Sequence, residues 1–573
     1  MCGIHGIVGS HRDSIAKMIK ASHHRGPDAN GIYCDDNISL GHNLLAITED
    51  SHLSKQPWVI DDRFVLVYNG EIYNYLDLKE QLKKHFTFKT ISDTEVLARG
   101  LQLEGEEFLH KLEGMYALAW YDKNNKSLVL ARDSYGIKPL YYVNKANKIT
   151  FSSTIKSLLS VGVDSKIDHM GLELYNHFGY IPGPKTLFND VTKLYPGQVL
   201  KIDLKDNRLL ADFHTHKQLK TVNHFNSKDF RNGVSNAVRK CMMGKRPIGL
   251  FLSGGMDSSV VLHELCQFCK PRTFTTRYDC SGDASDCNFN DDARVAMQLS
   301  KHYKTDHFEL LISFDDWIDA REKCIGVLEE PKYNRSVSAY YLMNQAMADQ
   351  GIVVTLSGDG GDELFTGYGR HNKFANSSLR RNYPHVSKRD IIGEWCWVTR
   401  LASNHPCQKN VLDYMEDWTP DVFSDDHVNN CLFLEGINHL PEDYLIRNDQ
   451  LGMNFSMEAR FPLLVDSFRH YALNLFSDSK INPHKKQIKT PSKLAYGGIL
   501  PKYVIHKRKT GWTVPHSDWF KSSRFRNEFV NPIIDDKYYP PINEVTKNWS
   551  NHLKQTINMV HFKMWAKTFG ATL

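Results

Sequence analysis

The apolar pattern changes character near the middle of the sequence, and that change requires two differently built domains. Up to about residue 203, apolar residues come in short runs separated by polar turns: 64–68, then 116–121 and 127–131 on either side of the turn 122–126, then 140–143 facing 149–152. Such runs predict antiparallel hairpins. One helix is expected to begin at Ser92, because Ser92-Asp93-Thr94-Glu95 has capping-box form and Val96, Leu97 and Leu101 follow at helical spacing. The result is an α+β domain. Residues 203–227 are polar and weakly periodic and read as a linker. Beyond them strands precede helices: 248–252 then 260–265, 273–276 then 293–302, and 352–356 after a helical stretch near Tyr340. That alternation predicts a parallel sheet flanked by helices, with ligands at the carboxyl ends of its strands. At 573 residues the chain is too long for a single core, and the expected domains are 1–205 and 226–573.

Several function classes are disfavoured. The net charge of +5, from 71 basic and 66 acidic residues, is too small over this length to make nucleic acid or an anionic membrane the main partner. No long apolar run suits a membrane span, and the start Met1-Cys2-Gly3-Ile4-His5-Gly6 lacks the features of a secretory signal. A cytoplasmic enzyme is expected. Eleven scattered cysteines, an odd number, suit free thiols. Cys266 and Cys269 have CxxC spacing, with Cys280 and Cys287 following. No second CxxC or paired histidine completes a zinc pattern, so buried structural thiols are the better reading.

Removal of Met1 would put the Cys2 thiol and a free α-amine on one residue, a nucleophile with its own proton acceptor. Cys2-Gly3-Ile4-His5-Gly6, Arg25-Gly26-Pro27-Asp28, Tyr68-Asn69-Gly70-Glu71-Ile72-Tyr73-Asn74, Ser92-Asp93-Thr94-Glu95 and the segment from Arg132-Asp133 to Leu140-Tyr141 together resemble the class II glutamine amidotransferases. The resemblance implies that Cys2 attacks glutamine, that the Asn69 amide and the Gly70 N–H stabilise the oxyanion, and that Asp93, beside Glu71, takes the substrate ammonium. An Asn-Gly pair after a strand also reads simply as a hairpin turn, and Asp93 as an acid complementing a helix dipole. One departure stands out. Where the family has an arginine that clamps the glutamine carboxylate, this chain has Leu44. Backbone groups of Leu44, Leu45, Ala46, Ile47 and Thr48 remain as contacts and Arg25 is a candidate replacement charge, but weaker glutamine binding is expected.

In the second half, Ser253-Gly254-Gly255-Met256-Asp257-Ser258-Ser259 sits between a strand and a helix, where backbone N–H groups and a helix N-terminus cradle phosphate. It resembles the pyrophosphate loop of ATP pyrophosphatases. Ser357-Gly358-Asp359-Gly360-Gly361-Asp362-Glu363 follows another strand and resembles the matching loop of the asparagine synthetase family. The resemblance implies ATP contacts at Leu252, Ser253, Gly254, Gly255, Asp257, Ser258, Thr276, Ser357 and Gly358, with Mg²⁺ held by Asp257 and Asp362. It implies catalytic roles for Asp359, Arg335 and Lys509. Met457-Glu458-Ala459-Arg460-Phe461-Pro462-Leu463-Leu464 completes the pattern and reads as structural support. A solvated acidic turn at Asp362 and Glu363, and a nucleic-acid patch at residues 502–509, are the plainer alternatives.

The resemblance implies an α+β N-terminal nucleophile hydrolase sandwich followed by an α/β domain of adenine nucleotide hydrolase type with helical extensions. It implies glutamine, aspartate and ATP as substrates, adenylation of aspartate, ammonia passing between the two sites, and a homodimer as a possible assembly, without nucleic acid or membrane. An amidotransferase acting on another carboxylate and a non-catalytic relative remain as alternatives.

Overall fold

The computed structural model describes residues 2–48, 54–145, 148–222, 224–279, 290–377, 386–401, 408–482, 487–509, 514–515, 519, 522–531 and 553–572. Its first half holds two six-stranded antiparallel sheets. One has β1 (Gly3–Val8), β2 (Ala29–Cys34), β3 (Ile38–Leu44), β8 (Tyr141–Lys145), β9 (Lys148–Ser152) and β10 (Thr192–Lys193), in the order β10-β8-β9-β1-β3-β2. The other has β4 (Trp58–Ile60), β5 (Phe64–Ile72), β6 (Gly114–Asp122), β7 (Ser127–Arg132), β11 (Gln198–Asp203) and β12 (Arg208–His214), in the order β12-β11-β7-β6-β5-β4.

Strand alternation explains the layering. Val65, Val67, Ala117 and Ala119 face Ile4, Leu40 and Phe151 between the sheets, whereas Leu66, Tyr68 and Leu118 pack outward on Val96, Leu97 and Leu101 of the helix Asp93–Glu104. Both faces of β5 and β6 are therefore buried, and their nine-residue strands contain no exposed position.

The predicted hairpins form, but two local expectations fail. The capping box does not close: Ser92 accepts from Thr94 N (3.1 Å), while the Glu95 carboxylate takes the N–H groups of Lys89 and Thr90 instead. The expected linker contains β12, which pairs along β11 and extends the second sheet.

The second half is built on a five-stranded parallel sheet, order β15-β14-β13-β16-β17, from β13 (Ile248–Phe251), β14 (Arg272–Tyr278), β15 (Asp306–Ile312), β16 (Val354–Leu356) and β17 (Glu458–Arg460). Helices Met256–Leu265, Asp291–Tyr303 and Val337–Asp349 provide the crossovers. Because β13 and β16 are neighbours, the two glycine-rich loops leave the sheet side by side. A Cβ on Gly358 would lie 2.6 Å from the Ser258 backbone nitrogen, so only glycine permits this approach. Glu458 and Arg460, expected to be structural support, form the edge strand and also reach the first domain: Arg460 lies between Glu458 (2.6 Å) and Glu71 (3.1 Å).

Cys266 is half-buried and Cys269 exposed, so the buried-thiol reading fails for that pair; Cys280 and Cys287 lie outside the described residues. No helix among the described residues is long and apolar enough to cross a membrane.

Candidate active sites

The first site forms where β1 begins. Cys2 is buried, its backbone nitrogen donates to Asn69 Oδ1 (2.9 Å), and its carbonyl accepts from Arg25 Nε (3.1 Å). A small cavity of about 30 Å³ touches Cys2, Leu44, Leu45, Ala46, Ile47, Thr48, Tyr68, Gly70, Glu71 and Asp93, so the residues expected around glutamine come together, with Asn69 bonded to Cys2. Asn69 and Gly70 lie inside β5, which removes the hairpin-turn reading. The Asn69 Nδ2 group is buried with no acceptor among the described residues. A buried amide donor without a partner is costly unless a ligand oxygen supplies one.

Asp93 accepts from Tyr68 Oη and from Ile72 N, both at 2.9 Å. Burial pushes its carboxyl above the usual range, although those donors and Thr94 N oppose the shift. A bound ammonium would relieve that penalty. Burial likewise raises the Cys2 thiol, so forming its thiolate calls for a close proton acceptor.

Leu44, the last residue of β3, is 4% exposed. The ionisable side chains lining the cavity, apart from Cys2 and Tyr68, are the acids Glu71 and Asp93. Arg25 does not replace the missing cation: its guanidinium is committed to Asp449 (2.7 Å) and to the Cys2 carbonyl.

The second site is a cavity of about 770 Å³ at the carboxyl ends of β13, β14 and β16, a volume suited to a nucleotide with a small acid. Leu252, Ser253, Gly255, Asp257, Ser258, Thr276, Ser357, Gly358, Asp359, Asp362 and Lys509 line it. Gly254 makes the turn behind it at φ +68°, where a Cβ would strike the Asp292 carbonyl at 2.6 Å. Glu363 is buried, donated to by Tyr368 Oη (2.7 Å) and pushed up to about 8 by burial and by Asp362, which removes the solvated-turn alternative. Lys507, Arg508 and Lys509 of the basic run face this cavity, whereas Lys502 does not line it.

Lys489, which the sequence reading missed, is central to the site's charge balance. Its ammonium bridges Asp257 and Asp362 (2.5 Å to the latter), and Lys509 also pairs with Asp362. Burial opposes ionisation of Asp362, yet the two lysines hold it well below the usual carboxylate range; burial dominates at Asp257 and raises it. The only sequence signal was local: Lys489 precedes Thr490-Pro491 at a helix N-terminus, where a cation opposes the dipole. Two hard carboxylates, one from each glycine-rich loop, also fit a divalent cation bound to phosphate.

Arg335 is not brought to this cavity. It turns to Tyr333, donating from Nε to Oη at 2.9 Å, because the turn before the helix Val337–Asp349 is held by Asn334 on Ser336 N (3.0 Å) and sends the side chain away. Arg447 lines the cavity instead, 4.3 Å from the Tyr340 ring centroid and 5.1 Å from that of Tyr444. Asn448 accepts from Arg447 Nε (3.1 Å) and donates to Asp359 (2.9 Å), which also accepts from Ser357 Oγ (2.7 Å).

Residues 1–214 match the glutamine amidotransferase domain family and residues 229–566 the asparagine synthase family. Asparagine synthetase [glutamine-hydrolyzing] 1 of Bacillus subtilis is 26% identical, covering 94% of this chain and 90% of the relative. A putative asparagine synthetase [glutamine-hydrolyzing] of Mycobacterium tuberculosis is 27% identical, covering 99% and 97%. Putative asparagine synthetase [glutamine-hydrolyzing] 2 of Methanocaldococcus jannaschii is 32% identical, covering 65% and 76%.

Proposed function

The chain belongs to the asparagine synthase family, and from that premise we propose that it makes asparagine from aspartate, ATP and glutamine through a β-aspartyl-AMP intermediate, releasing AMP, pyrophosphate and glutamate. The observation that carries this reading most is the presence in one chain of a buried thiol beside an Asn69 Nδ2 group with no acceptor among the described residues and of two facing glycine-rich loops that each present a carboxylate.

In the first half-reaction Cys2, freed of Met1, gives its thiol proton to its own α-amine and attacks the glutamine amide carbon. Asn69 Nδ2 and Gly70 N–H receive the oxyanion, Asp93 holds the substrate ammonium, ammonia leaves, and water releases glutamate from the thioester. In the second, the β-carboxylate of aspartate attacks the α-phosphorus of ATP and pyrophosphate leaves. The loop 253–259, the N-terminus of Met256–Leu265, Lys489 and Lys509 take up phosphate charge. Mg²⁺, held by Asp257 and Asp362, would neutralise the polyphosphate. Arg447 orients the acceptor acid, and Asp359 takes a proton as ammonia attacks the acyl-adenylate and AMP departs. Free thiols on the described cysteines fit a cytoplasmic setting.

Product analysis tests the reading: aspartate, MgATP and either glutamine or ammonium should yield asparagine and AMP in equal amounts. AMP release with another acid but none with aspartate would move the acceptor elsewhere. Asn69→Ala should lower the glutaminase kcat by about 10²–10³, the cost of one oxyanion donor, without loss of ammonium-driven synthesis. Leu44→Arg should lower the KM for glutamine by roughly 10-fold or more, since a charge-assisted hydrogen bond to a buried carboxylate contributes about 1.5–3 kcal/mol. An unchanged KM in steady-state glutaminase assays would show that backbone groups already satisfy the substrate carboxylate.

A further inference from the structure

Among the described residues outside the two cavities, one set of side chains can hold a metal ion. Glu394 of the helix Lys388–Thr399, with His427 and Cys431 of the helix His427–Leu434, place Oε2, Nε2 and Sγ within 4.8 Å of one another. His427 and Cys431 are four positions apart, so one helical face presents both, a spacing by which two side chains of a helix share an ion. Glu394 Oε2 lies 2.7 Å from His427 Nε2, and Cys431 Sγ lies 3.8 Å from the same nitrogen. His427 and Cys431 are 1% and 0% exposed, whereas the Glu394 side chain is 14% exposed and leaves an edge open to solvent.

Hydrogen bonding alone does not account for this convergence. Nε2 carries at most one proton, and once that proton is donated to Glu394 the nitrogen has no lone pair for the Cys431 thiol. A cation in place of the proton satisfies all three atoms. Imidazole, thiolate and carboxylate are zinc donors, and the soft thiolate disfavours Mg²⁺ and Ca²⁺. One carboxylate and one thiolate also balance the two charges of the ion, which leaves a neutral centre where burial penalises net charge. With Zn–ligand lengths of about 2.0–2.3 Å, the ligand atoms of a tetrahedral site stand about 3.3–3.8 Å apart. Sγ and Nε2 already have that spacing, and Glu394, on the open edge, needs to retreat by less than about 1 Å. Burial and the Glu394 carboxylate push the free thiol well above its ordinary range, so it keeps its proton until a metal displaces it.

We propose that Glu394, His427 and Cys431 form a zinc site that pins the helix Lys388–Thr399 to the helix His427–Leu434, with water as the fourth ligand on the Glu394 edge. As the sulfur takes the ion, the thiol proton leaves to solvent and no electron is transferred. The second of these helices continues directly into the stretch Glu435–Leu445, where Glu435 accepts from Arg370 Nε and a second guanidinium nitrogen, both at 2.7 Å. Arg370 in turn lies 4.1 Å from the ring centroid of Tyr368, a residue lining the synthetase cavity. The ion is therefore structural: it fixes a helix behind one wall of that cavity and takes no part in either reaction.

The test uses the full-length enzyme, incubated with zinc, passed through gel filtration and assayed for metal by elemental mass spectrometry. One zinc per chain should remain in the parent, in Cys2→Ala and in the double variant Cys266→Ser/Cys269→Ser, and be lost from Cys431→Ser. Cobalt(II) in place of zinc should give a near-ultraviolet thiolate-to-metal charge-transfer band in the parent that Cys431→Ser lacks. Stripping the metal with a chelator should lower the Tm of the parent and leave that of Cys431→Ser unchanged. Glu394→Gln, at the solvent edge, should weaken zinc binding by about 10-fold or more in competition with a chromophoric chelator, and it decides the matter if Cys431→Ser fails to fold. A parent that retains no zinc would reduce the cluster to a hydrogen-bonded His427–Glu394 pair and overturn the proposal. Zinc kept at full affinity by Cys431→Ser and Glu394→Gln but lost from Cys266→Ser/Cys269→Ser would overturn it as well, and place the ion at the CxxC pair.

Discussion

Cys2→Ala is expected to lose glutamine-driven asparagine formation by on the order of 10⁴-fold or more, while synthesis from ammonium persists within about two-fold. Alanine removes the sulfur proposed to form the thioester, whereas the ATP-type cavity is lined by residues from Phe251 onward, around the five-stranded parallel sheet. Serine at the same position should also lose most of the activity, because its hydroxyl is a far weaker acid and a poorer nucleophile than a thiol. The two nitrogen sources measured side by side make the experiment decisive. Equal loss with both would mean that the thiol supports the fold or the synthetase cavity, and the separate-site mechanism would fall.

Lys489→Met should give the opposite split. The substitution leaves Asp257 and Asp362 as two largely buried carboxylates, 14% and 21% exposed, with Lys509 as their remaining described counter-charge, and breaking a buried pair costs up to about 3–5 kcal/mol. If that loss appears in the transition state for pyrophosphate departure, kcat/KM for ATP falls by roughly 10²–10⁴ whichever nitrogen donor is supplied. Glutamate release from glutamine alone should be unaffected. Lys489→Arg is not expected to restore function, since a planar fork cannot sit as a point charge between two carboxylates in the same space. Near-normal ATP kinetics in Lys489→Met would assign the balancing of these acids to Lys509 or to a metal ion.

The parts of the two sites that were legible before the structure are those in which the chemistry is written along a short stretch of chain. Ser253 to Ser259 and Ser357 to Glu363 are each a strand end, a glycine-rich turn and a helix start, and their conformation follows from local φ/ψ freedom and unpaired N–H groups. Asn69, Gly70 and Asp93 were singled out by the family resemblance, whereas the local pattern alone read the first two as a hairpin turn and the third as an acid at a helix start. The readings that failed needed partners from elsewhere. Arg335 looked well placed beside a helix, but it turns to Tyr333 next to a turn held by Asn334, and Arg447, more than a hundred residues later, lines the cavity. Glu95 had the right spacing for a capping box, but two N–H groups of the preceding loop compete for its carboxylate and win.

By itself the sequence determined the change from antiparallel hairpins to alternating strands and helices and the position of the two glycine-rich loops, because hydrogen bonding and side-chain alternation within a segment dictate these. The tertiary structure alone decided how the buried charges are balanced. Lys489 meets Asp257 across 232 positions and Arg25 meets Asp449 across 424, and no local pattern signals such pairs, because a charge removed from water takes as its partner whichever opposite charge packing brings within reach.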